Sequence, residues 1–432
     1  MYRKTAISDT GERVESNGIS REKKETLIPL SLLLFYLVLE YGRPQELLPF
    51  LRVLHLPTIT IVLLALYSII FGKFSLKDKQ TTLLMFLLGL MVVHGPIAVN
   101  NYWTLMIFLT MVMNFIVFLS LIRYVDNLDK YDRLVKIWLG IHVFLAIIGI
   151  VRTGRGIGGF LADENDFCMT MNMIIPFSFF LAMNASGGKK IYYIVLTGLF
   201  LFVIILSNSR GGFVGLIAAF IYCWLRTKRK LLTAFIMGVL TIFAVVASPP
   251  AYWDRVRSIT EEGADKGTGE ERVYTWKIGW HMFLDNPIIG VGQGNFPWVF
   301  GKYEFQVTGS KDPFYGRSVG GRAAHSIYFT MLPELGILGT CIFFGMVYYT
   351  FKDLKTIKDS IFKKNNKVLK KMSDKLFYLS LALEGALVSY LVSGAFISTL
   401  YYPNLWILMG FIVSLKHIVI LDLKPDTTRS LQ

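Results

Sequence analysis

Residues 190–226 read KIYYIVLTGLFLFVIILSNSRGGFVGLIAAFIYCWLR, two apolar runs hinged on one polar break, Ser207-Asn208-Ser209-Arg210-Gly211-Gly212. A membrane-crossing helix needs about 20 mostly apolar residues to span roughly 30 Å of hydrocarbon. The pattern recurs along the chain. Twelve such runs stand at 27–41, 55–72, 80–99, 103–122, 134–151, 166–184, 190–207, 211–225, 231–248, 325–351, 376–397 and 402–421, the first carrying Pro29 and the eighth pinched between Gly211 and Arg226. The expected fold is all-α: a polytopic transmembrane helical bundle of about twelve spans with one large extramembrane loop domain. Its expected divisions are a cytoplasmic tail at 1–26, nine spans over 27–248, the loop domain at 249–324, three spans over 325–421 with a basic cytoplasmic loop at 352–375, and a tail at 422–432.

Composition agrees. Of 432 residues 53% are hydrophobic and 17% charged, against roughly 25% charged in soluble domains. The net charge is +15, yet aromatics reach 14%, which excludes a disordered, nucleic-acid-coating chain. Charge instead reports topology. The connections on the side of both termini hold 31 Lys and Arg, and the short connections on the other side hold five. The positive-inside rule makes the termini cytoplasmic. The polar first 26 residues lack the apolar core of a signal peptide, and the Lys-rich run from Lys363 to Lys371 reads as an inside anchor near anionic lipid. Cys168, Cys223 and Cys341 lie in apolar runs, so no disulfide framework is legible.

The chemistry therefore concentrates on the opposite face. Val273, Trp276, Trp280, Phe283 and Leu284 recur at helical spacing, so 270–285 reads as an amphipathic helix lying at the membrane interface or on the bundle. Asn286-Pro287 stops it, and a glycine-rich Gly290-Val291-Gly292-Gln293-Gly294 follows, able in principle to offer backbone N–H groups to phosphate but without a Walker lysine. Arg210 sits at an external helix end, where an arginine needs an anion, carbonyls or water; the guanidinium fork suits phosphate. Gly211 and Gly215 beside it either admit a headgroup or form a small-residue packing face. His325-Ser326 opens the tenth run after Arg322, and an imidazole there can take a proton from a hydroxyl. Glu334, nine residues on and roughly 13 Å deeper, reads as a network acid. Asp163-Glu164-Asn165-Asp166 either binds sugar hydroxyls or a hard cation, or caps the sixth run; Arg43, a second external arginine, presents the same choice as Arg210, an anion partner or a place at the interface. His94, His142 and His417 read as packing residues, and no transition-metal spacing appears.

Ser209-Arg210-Gly211-Gly212, then Arg272 with Trp276 leading into Asp285-Asn286-Pro287-Ile288-Ile289-Gly290-Val291-Gly292, then His325-Ser326 and Glu334-Leu335-Gly336, together resemble the O-antigen ligase and polymerase superfamily, integral-membrane glycosyltransferases of the C type. The segment from Phe160 to Phe167 and the early Arg43-Pro44-Gln45-Glu46 look similar to a ligase branch linked with exosortase-type exopolysaccharide systems. The resemblance implies an enzyme of the bacterial inner membrane that needs no metal or cofactor. It would move a glycan, with inversion, from an undecaprenyl-pyrophosphate donor to an acceptor hydroxyl on the periplasmic face. By the same resemblance Arg210 and Arg272 hold the leaving pyrophosphate and His325 activates the acceptor; Arg322, Glu334, Ser209, Gly211 and Asn165 are further substrate-binding candidates. The acceptor is a glycolipid, a second lipid-linked glycan as in a polymerase, or a protein hydroxyl as in an O-oligosaccharyltransferase. The rival from another class is a multi-span transporter, whose site would sit at mid-membrane, where Glu384 is the main acid.

Overall fold

The computed structural model describes residues 27–71, 76–246, 268–308, 323–363 and 370–422. Among them no strand forms, as expected where lipid leaves backbone groups no partner but the helix's own. The order is α1 (27–42), α2 (Leu56–Phe71), α3 (Lys79–His94), α4 (Asn101–Tyr124), α5 (Leu128–Val151), α6 (Glu164–Asn184), α7 (Gly187–Leu206), α8 (Arg210–Arg226), α9 (Lys230–Val246), α10 (Thr268–Asp285), α11 (Phe296–Thr308), α12 (Ile327–Lys363), α13 (Lys370–Ser393) and α14 (Pro403–Asp422). Each apolar run of the sequence coincides with one helix, and α10 and α11 lie in the loop segment. Nine helices among the described residues are long and apolar enough to cross a membrane; Lys79–His94 is apolar but shorter. Polar residues in the connections start several of them. Asn100, Asn127, Asp163 and Ser209 accept from backbone N–H groups in the first turns of α4, α5, α6 and α8.

The bundle is built around α6, buried over 89% of its apolar stretch against 22% for the stretch that contains α2. α7, α8 and α13 pack on α6, while α14 packs on α4 and α12. Close approach of α8 to α6 requires glycine: a Cβ on Gly212 would collide with the Cys168 thiol.

The segments that the charge pattern puts on one side gather at one end of the bundle. There Lys416 bridges Asp78 (2.7 Å) and Asp353 (2.9 Å), His417 pairs with Asp78 (3.0 Å), and Lys375 pairs with Asp132. Burial raises the Asp78 carboxyl, but hydrogen bonds from His417 and Lys416 outweigh it and hold the group below its ordinary range. His417 is thus an ion-pair partner rather than a packing residue. Glu384 is held by Tyr222 (2.5 Å), Lys358 (2.8 Å) and Arg226 (3.2 Å). A carboxylate so partnered is structural, which removes the acid on which a transport site would have rested.

α12 departs from the expected span in two ways. It runs to Lys363, twelve residues past 351, so the basic loop begins as helix. Near its start the helix is broken at Gly336 (φ 60°, ψ −165°), a conformation open to glycine alone. The break frees backbone groups that the loop after α10 satisfies. Val291 N donates to Pro333 O (2.8 Å), Gly292 N to Glu334 O (3.0 Å), Ile337 N to Pro287 O (2.8 Å) and Leu338 N to Ile288 O (3.2 Å). Two motifs more than 40 residues apart are therefore one backbone clasp, which fastens the extramembrane helices to the bundle.

Candidate active site

The clasp decides what the glycine-rich loop does. Glu334, 2% exposed, accepts from Gly294 N (2.9 Å), Phe296 N (3.0 Å) and the Tyr401 hydroxyl (2.7 Å). Buried Gln293 donates to Met91 O (3.0 Å) and Thr104 O (3.2 Å) and meets His94 Nδ1 (2.6 Å), whose Nε2 meets Ile289 O (2.7 Å). Asn295 accepts from Asn100 N (2.7 Å) and donates to Thr104 Oγ1 (2.7 Å). The N–H groups of Val291, Gly292 and Gly294 are already committed, so the loop does not cradle a phosphate. Its positive-φ glycines serve the turn, and Glu334 pairs with backbone and tyrosine. Glu334→Gln turns one of the two accepting oxygens into a donor that faces a backbone N–H; the expected cost is about 1–3 kcal/mol, read as a lower unfolding midpoint in detergent.

The clasp also sets α10. Its bundle side is Thr275, Ile278 and Met282, which with Phe296, Phe300 and Tyr303 of α11 and Ala324 form a second small core. Val273, Trp280 and Leu284 of the expected apolar stripe face outward, 47%, 46% and 52% exposed, so the stripe divides between an outer and an inner side. Trp276 docks the helix on the start of α12: its indole N–H donates to Ala324 O (2.8 Å) and its ring stacks on Phe329 at 4.8 Å. Arg272 lies one turn before Trp276 on the same helix.

Arg210 is the first residue of α8 and is exposed. Ser209 before it caps the helix, accepting from Gly212 N (2.9 Å) and donating to Asn165 Oδ1 (2.7 Å). Asn165 is tied in turn to Asp163, the cap of α6 (2.8 and 3.0 Å). Ser209 and Asn165 thus set the place of Arg210, and Gly211, buried against Phe396, serves packing. Arg272 comes close to the same point. Burial and then the Arg210 guanidinium push its proton affinity down, and Asp163 pushes it up. Two guanidinium groups from separate helices, at a helix N-terminus, form a focus of positive charge. Arg322 lies outside the described residues.

His325, in the left-handed region (φ 49°) and exposed, precedes α12. Every non-glycine residue with positive φ among those described, Arg43, His55, Thr153, Asn208 and His325, belongs to connections at this same end. Backbone strain of this kind collects where side chains must be held for function.

Residues 195–344 match the O-antigen ligase family. The superfamily that the motifs resemble is the one matched, and Arg210, Arg272, His325 and Glu334 all fall inside it. A curated relative, the Teichuronic acid biosynthesis protein TuaE of Bacillus subtilis (strain 168), is 22% identical over 333 residues, covering 69% of this chain. The match spans 63% of that protein's length.

Outside the ligase region lie groups the sequence did not single out as a unit. The Arg43 guanidinium stands over the Phe160 ring at 5.3 Å and against the backbone of Gly159. Phe160 packs on Tyr402 at 5.3 Å. Burial first, then the neighbouring Asp166 carboxyl, holds the Tyr402 phenol well above its ordinary range. A cavity of about 590 Å³ is walled by Trp103, Phe296, Trp298, Glu334, Tyr401 and Tyr402. Ala323 and Ala324 line it too, so His325 adjoins its rim. No metal-holding group of three or more His, Cys, Asp or Glu forms among the described residues.

Proposed function

We propose that the protein is an inverting, metal-independent glycosyltransferase that moves a glycan from undecaprenyl pyrophosphate to an acceptor hydroxyl at the periplasmic face of the bacterial inner membrane. The observation that carries this reading is the approach of the Arg210 and Arg272 guanidinium groups from α8 and α10, with Trp276, one turn along α10, bound to the backbone of Ala324 next to His325. As the glycosidic bond breaks, negative charge grows on the pyrophosphate. Two guanidinium groups fixed before the reaction stabilise it without reorganising. The donor's polyprenyl chain stays in lipid while its headgroup enters from the bundle end. His325 takes the proton of the acceptor hydroxyl as it attacks the anomeric carbon on the face opposite the leaving group.

The aromatic cavity beside His325 suits a saccharide acceptor, because ring faces pack on the C–H side of a pyranose while Glu334 and its tyrosine partner keep the floor rigid. The relative's part in teichuronic acid biosynthesis favours, as second reading, polymerisation onto another lipid-linked glycan. The test is transfer by the purified protein in detergent with a lipid-linked donor and two acceptor classes, glycolipid and lipid-linked glycan. Transfer is expected to persist in excess EDTA. Strict dependence on a divalent ion would overturn the arginine-based reading and redirect attention to Asp163 and Asp166.

A further inference from the structure

At the end of the bundle away from α10 and α11, a second cavity of about 390 Å³ opens between α6, α7, α9 and α13. Its wall is apolar, with Phe180, Ile194, Leu232 and Phe377 the principal surfaces. The three threonine hydroxyls on the wall are engaged internally: Thr197 with Tyr193 O and Ser178 Oγ (both 2.9 Å), Thr233 with Thr227 Oγ1 (3.3 Å), and Thr227 Oγ1 also with Arg229 N (3.3 Å). The interior therefore suits hydrocarbon better than a polar metabolite. The rim is the reverse. Lys190, Arg226, Lys228 and Arg229 border it, and no acidic residue does.

Of these four, Arg226 is engaged with Glu384 at 3.2 Å. Lys190, Lys228 and Arg229 have no carboxylate partner among the described residues. Positive charge that only sets topology needs no cavity beneath it, as the exposed Lys363 and Lys371 illustrate. An apolar slot capped by cations with no carboxylate partner among the described residues is complementary to one molecule class of the bilayer, an acyl lipid with an anionic headgroup.

We propose that this cavity is a binding site for an anionic glycerophospholipid, with one acyl chain between α7 and α9 and the headgroup phosphate among Lys190, Lys228 and Arg229. The site is separate from the proposed catalytic mouth, so its fate is independent of the glycosyltransferase reading. It would wedge α9 against the bundle.

The test is native mass spectrometry of the full chain in non-ionic detergent, with phosphatidylglycerol or phosphatidylethanolamine of matched acyl chains added. Phosphatidylglycerol is expected to be retained preferentially, and Lys228→Gln with Arg229→Gln to lower that retention about 30-fold. Leu232→Trp, which fills the slot without altering charge, is expected to lower it as well. Lys363→Gln with Lys371→Gln is expected to leave it unchanged. Equal retention of both lipids, insensitivity to the first pair and to Leu232→Trp, or an equal loss in the control pair would each overturn the proposal. Displacement of the lipid by an equal concentration of glycerol phosphate would also overturn it, by making the site one for free phosphate.

Discussion

Arg210→Ala and Arg272→Ala each lower glycan transfer from a lipid-linked donor at least about 100-fold, the loss typical when one preorganised group facing developing charge is removed. The expectation rests on the proposed convergence, in which each helix supplies one guanidinium to the same anion. Arg272→Lys keeps the charge but loses the planar fork, and is expected to recover only part of the rate. The double substitution is expected to cost less than the product of the two single losses, because the pair acts as a unit. A second readout separates catalysis from folding. Burial and then the Arg210 guanidinium lower the proton affinity of Arg272, while Asp163 raises it. Arg272→Gln is expected to leave the unfolding midpoint unchanged while transfer is lost. A lowered midpoint with proportionate loss of activity would make Arg272 structural; full activity in both alanine variants would remove the pair from the site.

The helices were legible because membrane crossing imposes a length and polarity that few sequences meet by chance. The twelve apolar runs and the twelve bundle helices coincide, Pro29 and Gly211 notwithstanding. The ends were less so. Lys352 to Lys363 looks like a polar loop because lipid no longer demands apolar side chains there, yet the helix continues for three more turns. The break at Gly336 was hidden for the opposite reason. Pro333-Glu334-Leu335-Gly336 sits in an unbroken apolar run, and the strand-like partner that takes up its carbonyls, 287–292, is set by tertiary structure alone.

The same logic divides the site. Arg210 and His325 stood out because charged or titratable residues are rare at helix ends of so apolar a chain, and Arg272 drew notice through the family resemblance. The place of Arg272 depends on how Trp276 docks α10, which no spacing rule encodes. The phosphate-cradle reading of Gly290 to Gly294 failed because glycine signals a turn without saying who receives the exposed N–H groups. Here Glu334 and the broken helix receive them. Arg43 remained one ambiguous arginine, since its neighbours Phe160 and Tyr402 lie far along the chain.

His325→Ala is expected to lower the transfer rate about 100- to 10,000-fold with little change in the apparent affinity for donor, the range for loss of a positioned general base. The split follows from the proposed division of labour, in which the arginines bind the pyrophosphate and the imidazole meets only the acceptor. A base must be neutral to accept a proton, so the rate of the natural protein falls as pH is lowered, and that acid limb is absent from whatever rate remains in His325→Ala. Stability runs the other way. His325 is held at φ 49°, and a glycine there adopts the left-handed backbone without a Cβ penalty. His325→Gly is thus expected to be as stable as the natural protein or more so while losing the same activity as His325→Ala. A loss of stability in His325→Gly, or an acid limb that survives in His325→Ala, would assign the proton transfer elsewhere, with Asp166 and Tyr402 on the same mouth the first groups to test.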